Sequence, residues 1–357
     1  MNDRLKTLMG SFPKHDIDGL LLTYGRSLRH ITGYSGSNGC ALVAPEALVF
    51  ITDFRYRIQA EEQVLDFERR IAEAELFKEL ATVPWFSQKH RLGIESTHLT
   101  VEQLSRLKEL LPKTELVPVK ELPEAVGVIK DETEIESIRR AVAISDAVYE
   151  EILPLIKPGL SEVELAAEIE YRMRRHGSER VAFDAIVVSG KRSALPHGEP
   201  GRKKIEAGDL VTMDYGARVN GYCSDFTRTV VVGKADEQQR RIYEITLRAQ
   251  QAAEESAAAG QTGREVDAVA RDIIAGSGHG DHFGHGLGHG LGLDIHEAPK
   301  LSPKSTITLE PGMVATVEPG IYIPGFGGVR IEDVVVIREK GCEVLTQARK
   351  DLIEIET

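Results

Sequence analysis

Val211–Val232, VTMDYGARVNGYCSDFTRTVVV, reads as two strands about an Asn220-Gly221 turn. Asn-Gly is the strongest two-residue hairpin signal, because both central positions of a type I′ turn take positive φ. A two-residue turn sets Val219 against Tyr222, and counting outward sets Asp214 against Thr227. Asp225 shares the face of Thr227 by strand alternation. Asp214 and Asp225 are then diagonal neighbours, with backbones roughly 7–8 Å apart and carboxylates closer. Two carboxylates on one face of an apolar hairpin repel unless a cation or proton lies between them. The alternatives at this point are a pair of solvated aspartates on an exposed face, or a bulge that shifts the register.

The 357 residues allow two domains of ordinary size, and no tract is of low complexity. The net charge of −12 argues against a nucleic-acid partner and suits a soluble cytoplasmic protein. The opening MNDRLKTLMGSFPKHDIDG has charges where an export signal needs an apolar core, so none is expected. No apolar run approaches a membrane span. Cys40, Cys223 and Cys342 are far apart and form no CxxC, which fits a reducing compartment and excludes a cysteine-based zinc site.

The first third alternates apolar runs of strand length with short helical patterns, and so predicts an α/β layer domain. Strands are expected at Ile17 to Thr23, Cys40 to Ala44, Leu48 to Thr52, His90 to Ile94 and Leu116 to Val119. Thr100 with Gln103 has capping-box spacing, and residues 32–39 read as a long glycine-containing loop. The texture changes over Glu121 to Lys130, which divides the chain into domains 1–125 and 126–357. Beyond it come a long amphipathic helix and two more helices opened by Ser161/Glu164 and Thr262/Glu265 boxes. A further helix is expected from Glu237 to Ala259. Strands are expected at Ala185 to Ser189, Met313 to Glu318 and Val329 to Ile337. The second domain is therefore α+β with mainly antiparallel strands.

Three segments supply groups that could join the aspartates. His282–His296, HFGHGLGHGLGLDIH, holds four histidines. His285 and His289 stand four apart, but the glycines between them oppose a helix, and no HExxH is present. Glycines here let the backbone pass close to a cluster or ligand; the alternative is a flexible loop. Glu318 ends the apolar run MVATVE before Pro319-Gly320. In VRIEDVVV, Arg330 and Glu332 fall on one face of an apolar strand, where a simple ion pair between them would also account for both. Taken together, Asp214, Asp225, Glu318 and Glu332 carry more charge than one cation balances, and His289 adds an imidazole. Two divalent cations would balance it. Oxygen-rich ligation with one imidazole suits Mn2+ best, with Co2+ or Zn2+ as alternatives.

MDYG, YCSDFTRT, HGLGHGLGLDIHE, VEPGIY and VRIEDVVV, in this order and spacing, resemble the metal-dependent pita-bread peptidases. That family includes methionine aminopeptidase, aminopeptidase P and Xaa-Pro dipeptidase. TGYSGSNG and TDFRY resemble the creatinase-type N-terminal domain of the proline-directed members, which methionine aminopeptidases lack. The resemblance implies that Asp214 chelates one metal, that Asp225 and Glu332 bridge both, and that His289 and Glu318 complete the other site. It implies a water nucleophile with Glu318 as its base, and His197 and His296 holding the substrate carbonyl and the tetrahedral intermediate. His285 matches a second-sphere or substrate-pocket histidine, and Arg330 would orient the bridging carboxylates. The implied substrates are small peptides with proline in second position, and the implied assembly is a homodimer. Lys300, four residues past His296, is a candidate for the free carboxylate of a dipeptide. The expected activity is Xaa-Pro dipeptidase. Aminopeptidase P is the alternative, and a metal-free creatinase-like hydrolase or a non-catalytic binding protein is more remote.

Overall fold

The computed structural model describes residues 3–120 and 122–356; Glu121, at the start of the expected domain junction, lies outside them. The chain divides into two compact units, Met1–Gly127 and Val128–Thr357.

The first unit is built on six strands in the order Glu68–Ala72, Ala47–Asp53, Cys40–Ala44, Gly19–Leu22, Arg91–Glu95, Glu115–Val119. Successive residues of Gly19–Leu22 enter different cores: Leu20 and Leu22 lie in one, Leu21 in the other. Burial on both faces explains the unbroken apolar run. The Thr100 capping box forms as expected. The expected loop at 32–39 begins inside a helix, Gly25–Thr32, that ends at Gly33 with φ 80°. That helix opens on glycine after Tyr24, which supplies no side-chain cap, so it has no start signal. Strand Glu68–Ala72 is also unannounced: ERRIA occupies a sheet edge, where charged residues are tolerated.

The second unit is α+β. One sheet runs Glu354–Ile355, Phe226–Val232, Leu210–Tyr215, Ile186–Ser189. Another runs Glu297–Leu301, Gly288–Gly290, Val314–Val317, Asp333–Ile337, Cys342–Val344. Gly320–Ile323 and Gly327–Arg330 form a separate hairpin. Among the described residues its ladders are antiparallel except the short one joining Val231 and Val232 to the C-terminal strand. Among the described residues, capping boxes open all four of its long helices; those of Asp131/Glu134 and Asp236/Gln239 join the two expected ones. Among the described residues no helix is long and apolar enough to cross a membrane.

One expectation needs correction. Val329 to Ile337 is not one strand. The chain leaves the hairpin at Arg330 and enters the five-stranded sheet at Asp333. Ile331 and Glu332 sit at the interruption, so Arg330 and Glu332 are not neighbours on one strand face.

Candidate active site

The hairpin forms in the register that its turn dictates. Val219 pairs with Tyr222, Tyr215 with Phe226 and Asp214 with Thr227. Asn220 and Gly221 take φ of 47° and 73°. No bulge intervenes, because Gly216 lets the strands close: a Cβ there would lie 2.1 Å from the Ser224 carbonyl oxygen. Val211, Met213 and Tyr215 pack with Phe226, Val230 and Val232 in one core. The opposite face carries Thr212, Asp214, Thr227 and Thr229. Asp214 and Asp225 are both buried, which removes the solvated-pair alternative.

The glycine-rich segment is a strand threaded between two others. A Cβ on Gly288 would lie 2.0 Å from the Thr316 carbonyl oxygen, and one on Gly290 2.1 Å from that of Ala298. Only glycine permits this approach. His289, between them, aims Nε2 at Asp225 Oδ2 (3.5 Å) and Glu318 Oε1 (3.4 Å). Its Nδ1 lies 3.1 Å from the Gly290 carbonyl, which can only accept, so Nδ1 carries the proton and Nε2 is a bare lone pair. Burial pushes His289 down to about 4, so it stays neutral.

Glu332 accepts from Thr227 Oγ1 at 2.5 Å with Oε2. Its Oε1 is buried without a partner, as is Asp214 Oδ1. Asp214, Asp225 and Glu332 each offer an oxygen within 4.8 Å of the others. Burial, reinforced by the neighbouring carboxylates, holds Asp225 and Glu332 well above the usual range. Burial also raises Asp214, against the pull of Arg330, and pushes Glu318 up to about 8. Arg330 does not pair with Glu332. Its Nη2 donates to Asp214 Oδ2 (2.5 Å), its Nη1 to Tyr322 Oη (2.9 Å) and Pro196 O (3.2 Å), and its Nε to Thr227 Oγ1 (3.1 Å). One guanidinium cannot neutralise four carboxylates. Orphaned carboxylate oxygens and a bare imidazole nitrogen converging on one place fit divalent cations.

These groups line a cavity of about 320 Å³ that also takes in His197, His285, His296, Lys300 and Arg330. His296 meets His289 edge to face at 4.4 Å between ring centres. His285 Nε2 lies 2.9 Å from Tyr322 Oη, with Nδ1 on the Gly286 carbonyl. Lys300, register partner of His289, is exposed, and its ammonium makes no hydrogen bond or ion pair among the described residues. Phe183, Ile186, Pro196 and Ile295 supply an apolar wall. Three further side chains, to which the sequence motifs assign no role, complete the site: Tyr322, which joins Arg330 to His285; Thr227, under Glu332; and Thr316. The Thr316 hydroxyl accepts the His289 amide (3.0 Å) and donates to Glu318 (3.2 Å). Thr227 was legible as the predicted partner of Asp214, and Tyr322 falls within VEPGIY.

The metallopeptidase family M24 model matches residues 136–339, and the creatinase/prolidase N-terminal domain model matches residues 4–129. A Xaa-Pro dipeptidase of Pyrococcus horikoshii is 41% identical over 355 residues, 99% of each chain. A solved Xaa-Pro dipeptidase from Bacillus anthracis superposes with TM-score 0.96 at 45% identity, over 98% of this chain and 99% of that one. A solved X-Pro aminopeptidase from Thermotoga maritima gives TM-score 0.91 at 37% identity, over 99% of this chain and all of that one. The chain belongs to metallopeptidase family M24 and carries the creatinase/prolidase type of N-terminal domain. It is a divalent-metal peptidase.

A pH dependence follows. Carboxyl groups raised in the folded state bind protons that the unfolded chain has released, so the metal-free protein loses stability as pH rises towards the folded values. The lowered histidines act in the opposite sense, but only below about pH 6.5, where the unfolded chain's histidines charge. From about pH 6.5 to 8 the carboxylates act alone. Chelated protein is expected to melt at a lower temperature at pH 8 than at pH 6.5, and Mn2+ to raise Tm more at pH 8. Equal Mn2+ shifts at the two values, by scanning calorimetry, would contradict the assignment.

Proposed function

We propose that this chain is an Xaa-Pro dipeptidase that works with two divalent cations, Mn2+ being the best match to its donors. The observation that supports this most is the convergence of five donor side chains with two orphaned buried oxygens. Asp214 would hold one cation, Asp225 and Glu332 both, and His289 and Glu318 the other. When bound, such a pair supplies Lewis acidity and makes water acidic near neutral pH. Glu318, held by Thr316, accepts the proton of the attacking water and delivers it to the departing proline nitrogen. His296 and His197 border the cavity and donate to the scissile carbonyl and to the oxygen that becomes negative during attack. Arg330 orients Asp214 and, through Thr227, Glu332. We place the protein in the cytoplasm as a homodimer; a reducing compartment suits its three free cysteines.

Substrate length turns on the proline carboxylate. An exposed ammonium with no partner of its own, on the cavity rim, is suited to read it, and Lys300 has that position. Lys300→Ala is expected to raise KM for Ala-Pro roughly tenfold, with kcat little changed, as loss of one charge-assisted contact would give. Ala-Pro-amide is expected to be a poor substrate of the unaltered enzyme. The second reading, aminopeptidase P, has in its favour the similarity to the Thermotoga maritima X-Pro aminopeptidase. Cleavage of Ala-Pro-amide or Ala-Pro-Gly as fast as Ala-Pro would decide for it and leave the metal chemistry unchanged.

A further inference from the structure

The metal-binding set is divided between two sheets. Asp214 and Asp225 belong to the hairpin built on Leu210–Tyr215 and Phe226–Val232. His289 lies in the five-stranded sheet, while Glu318 and Glu332 flank its strands Val314–Val317 and Asp333–Ile337. The separation of the two halves must be held to a fraction of an ångström for the oxygens and the imidazole to share cations. Like charge pushes the halves apart whenever the carboxylates are ionised.

Arg228 spans this gap from the side away from the cavity. Its side chain is fully buried. All five of its N–H groups find acceptors. Nε donates to Arg349 O (3.0 Å), Nη1 to Thr227 O (3.0 Å) and Glu332 O (2.5 Å), and Nη2 to Asp333 Oδ1 (2.7 Å) and Ala348 O (2.8 Å). Glu332 stands where the chain passes between sheets, and the Arg228 guanidinium takes up its carbonyl there. Asp333, next in sequence, pairs with Val317, the residue before Glu318. Its second oxygen accepts from Gln250 Nε2 (3.0 Å) and from Lys350 Nζ. One guanidinium thus joins the strand of Thr227, which hydrogen-bonds the Glu332 carboxylate, to the main chain that carries Glu332 and abuts Glu318.

We propose that Arg228 and Asp333 are a positioning pair that fixes the spacing between the two ligand-bearing sheets and thereby sets the affinity for the divalent cations. Neither residue lines the cavity. The proposal rests on Glu332 being a metal ligand. A purely structural ion pair would stabilise the fold and leave metal affinity alone. A lysine at 228 keeps the charge, but a point ammonium cannot serve five acceptors spread over the two sheets, their junction and the C-terminal loop.

The test is equilibrium dialysis of Mn2+ against the full chain, without peptide. Arg228→Lys and Asp333→Asn are each expected to weaken Mn2+ binding by on the order of 10–100-fold, the usual range for outer-sphere partners of metal ligands. At saturating Mn2+, KM for Ala-Pro is expected to stay within about twofold of the unaltered enzyme, and activity lost at low metal to return. Tyr243→Phe is the control. Its hydroxyl donates to Lys350 O and Asp351 O in the same C-terminal segment and hydrogen-bonds neither Arg228, Asp333 nor a ligand. It is expected to lower Tm and leave Mn2+ affinity unchanged. Should Arg228→Lys not fold, Gln250→Leu loosens Asp333 from its far side, and a several-fold weaker Mn2+ affinity is expected. Mn2+ affinity within twofold of the unaltered protein in the folded variants would overturn the proposal. So would equal weakening by Tyr243→Phe. Failure to cleave any Xaa-Pro peptide would sink the dipeptidase reading but not this one, since the readout is metal binding.

Discussion

Alanine at Asp225 or at Glu332 is expected to remove bound metal and activity together. In the proposed arrangement each of these carboxylates would serve both cations. Asp225 approaches His289 on one side, and it groups with Asp214 and Glu332 on the other. Loss of either leaves neither cation with a full donor set. The loss is several kcal/mol of transition-state stabilisation, on the order of 10³-fold or more in kcat/KM. Misfolding is distinguishable from metal loss. Removing one of several crowded, buried carboxylates relieves like-charge repulsion, so chelated Asp225→Ala is expected to melt no lower than the chelated parent at pH 8. Metal analysis of the purified variants, beside turnover of Ala-Pro, gives the answer. Full metal occupancy with normal turnover in either variant would refute the assignment.

Glu318→Gln is expected to lower kcat by on the order of 10²-fold or more, measured at saturating Mn2+ so that weakened metal binding is compensated. The amide keeps the size of the carboxylate and can still accept the Thr316 hydroxyl, but it cannot take a proton from water. Glu318 is half-buried at the end of Val314–Val317 beside an apolar core, and that desolvation raises its proton affinity in the metal-free protein. A bound cation would lower it again, so the base is ionised when needed. A kcat and pH–rate profile close to those of the parent would count against Glu318 as the base.

The hairpin was legible because its information is local. Asn220-Gly221 fixes the turn, alternation fixes the faces, and together they set Asp214 against Thr227 as observed. The glycines around His289 were legible as a device for close approach, although the strand they form, Gly288–Gly290, was not: three residues give no period. The interruption at Ile331–Glu332 left little mark: VRIEDVVV contains neither glycine nor proline, and its alternation holds as far as the consecutive Glu332-Asp333. Arg330 therefore seemed placed to pair with Glu332. Its real partner, Asp214, comes from another sheet 116 positions away, and only tertiary structure supplies that contact. Arg228 was hidden for the same reason. A charged residue among TRTVVV reads as an edge or solvent position, yet here four acceptors from distant segments and the neighbouring Thr227 carbonyl make its complete burial possible.

The measurement that bears most directly on the whole account is the rate of Ala-Pro hydrolysis as Mn2+ is returned to chelated enzyme, with bound metal per chain determined at each step. No hydrolysis is expected in the chelated protein, and a maximum rate is expected as the content reaches two ions per chain. Full activity after chelation, or an enzyme loaded with two ions that leaves Ala-Pro intact, would contradict it.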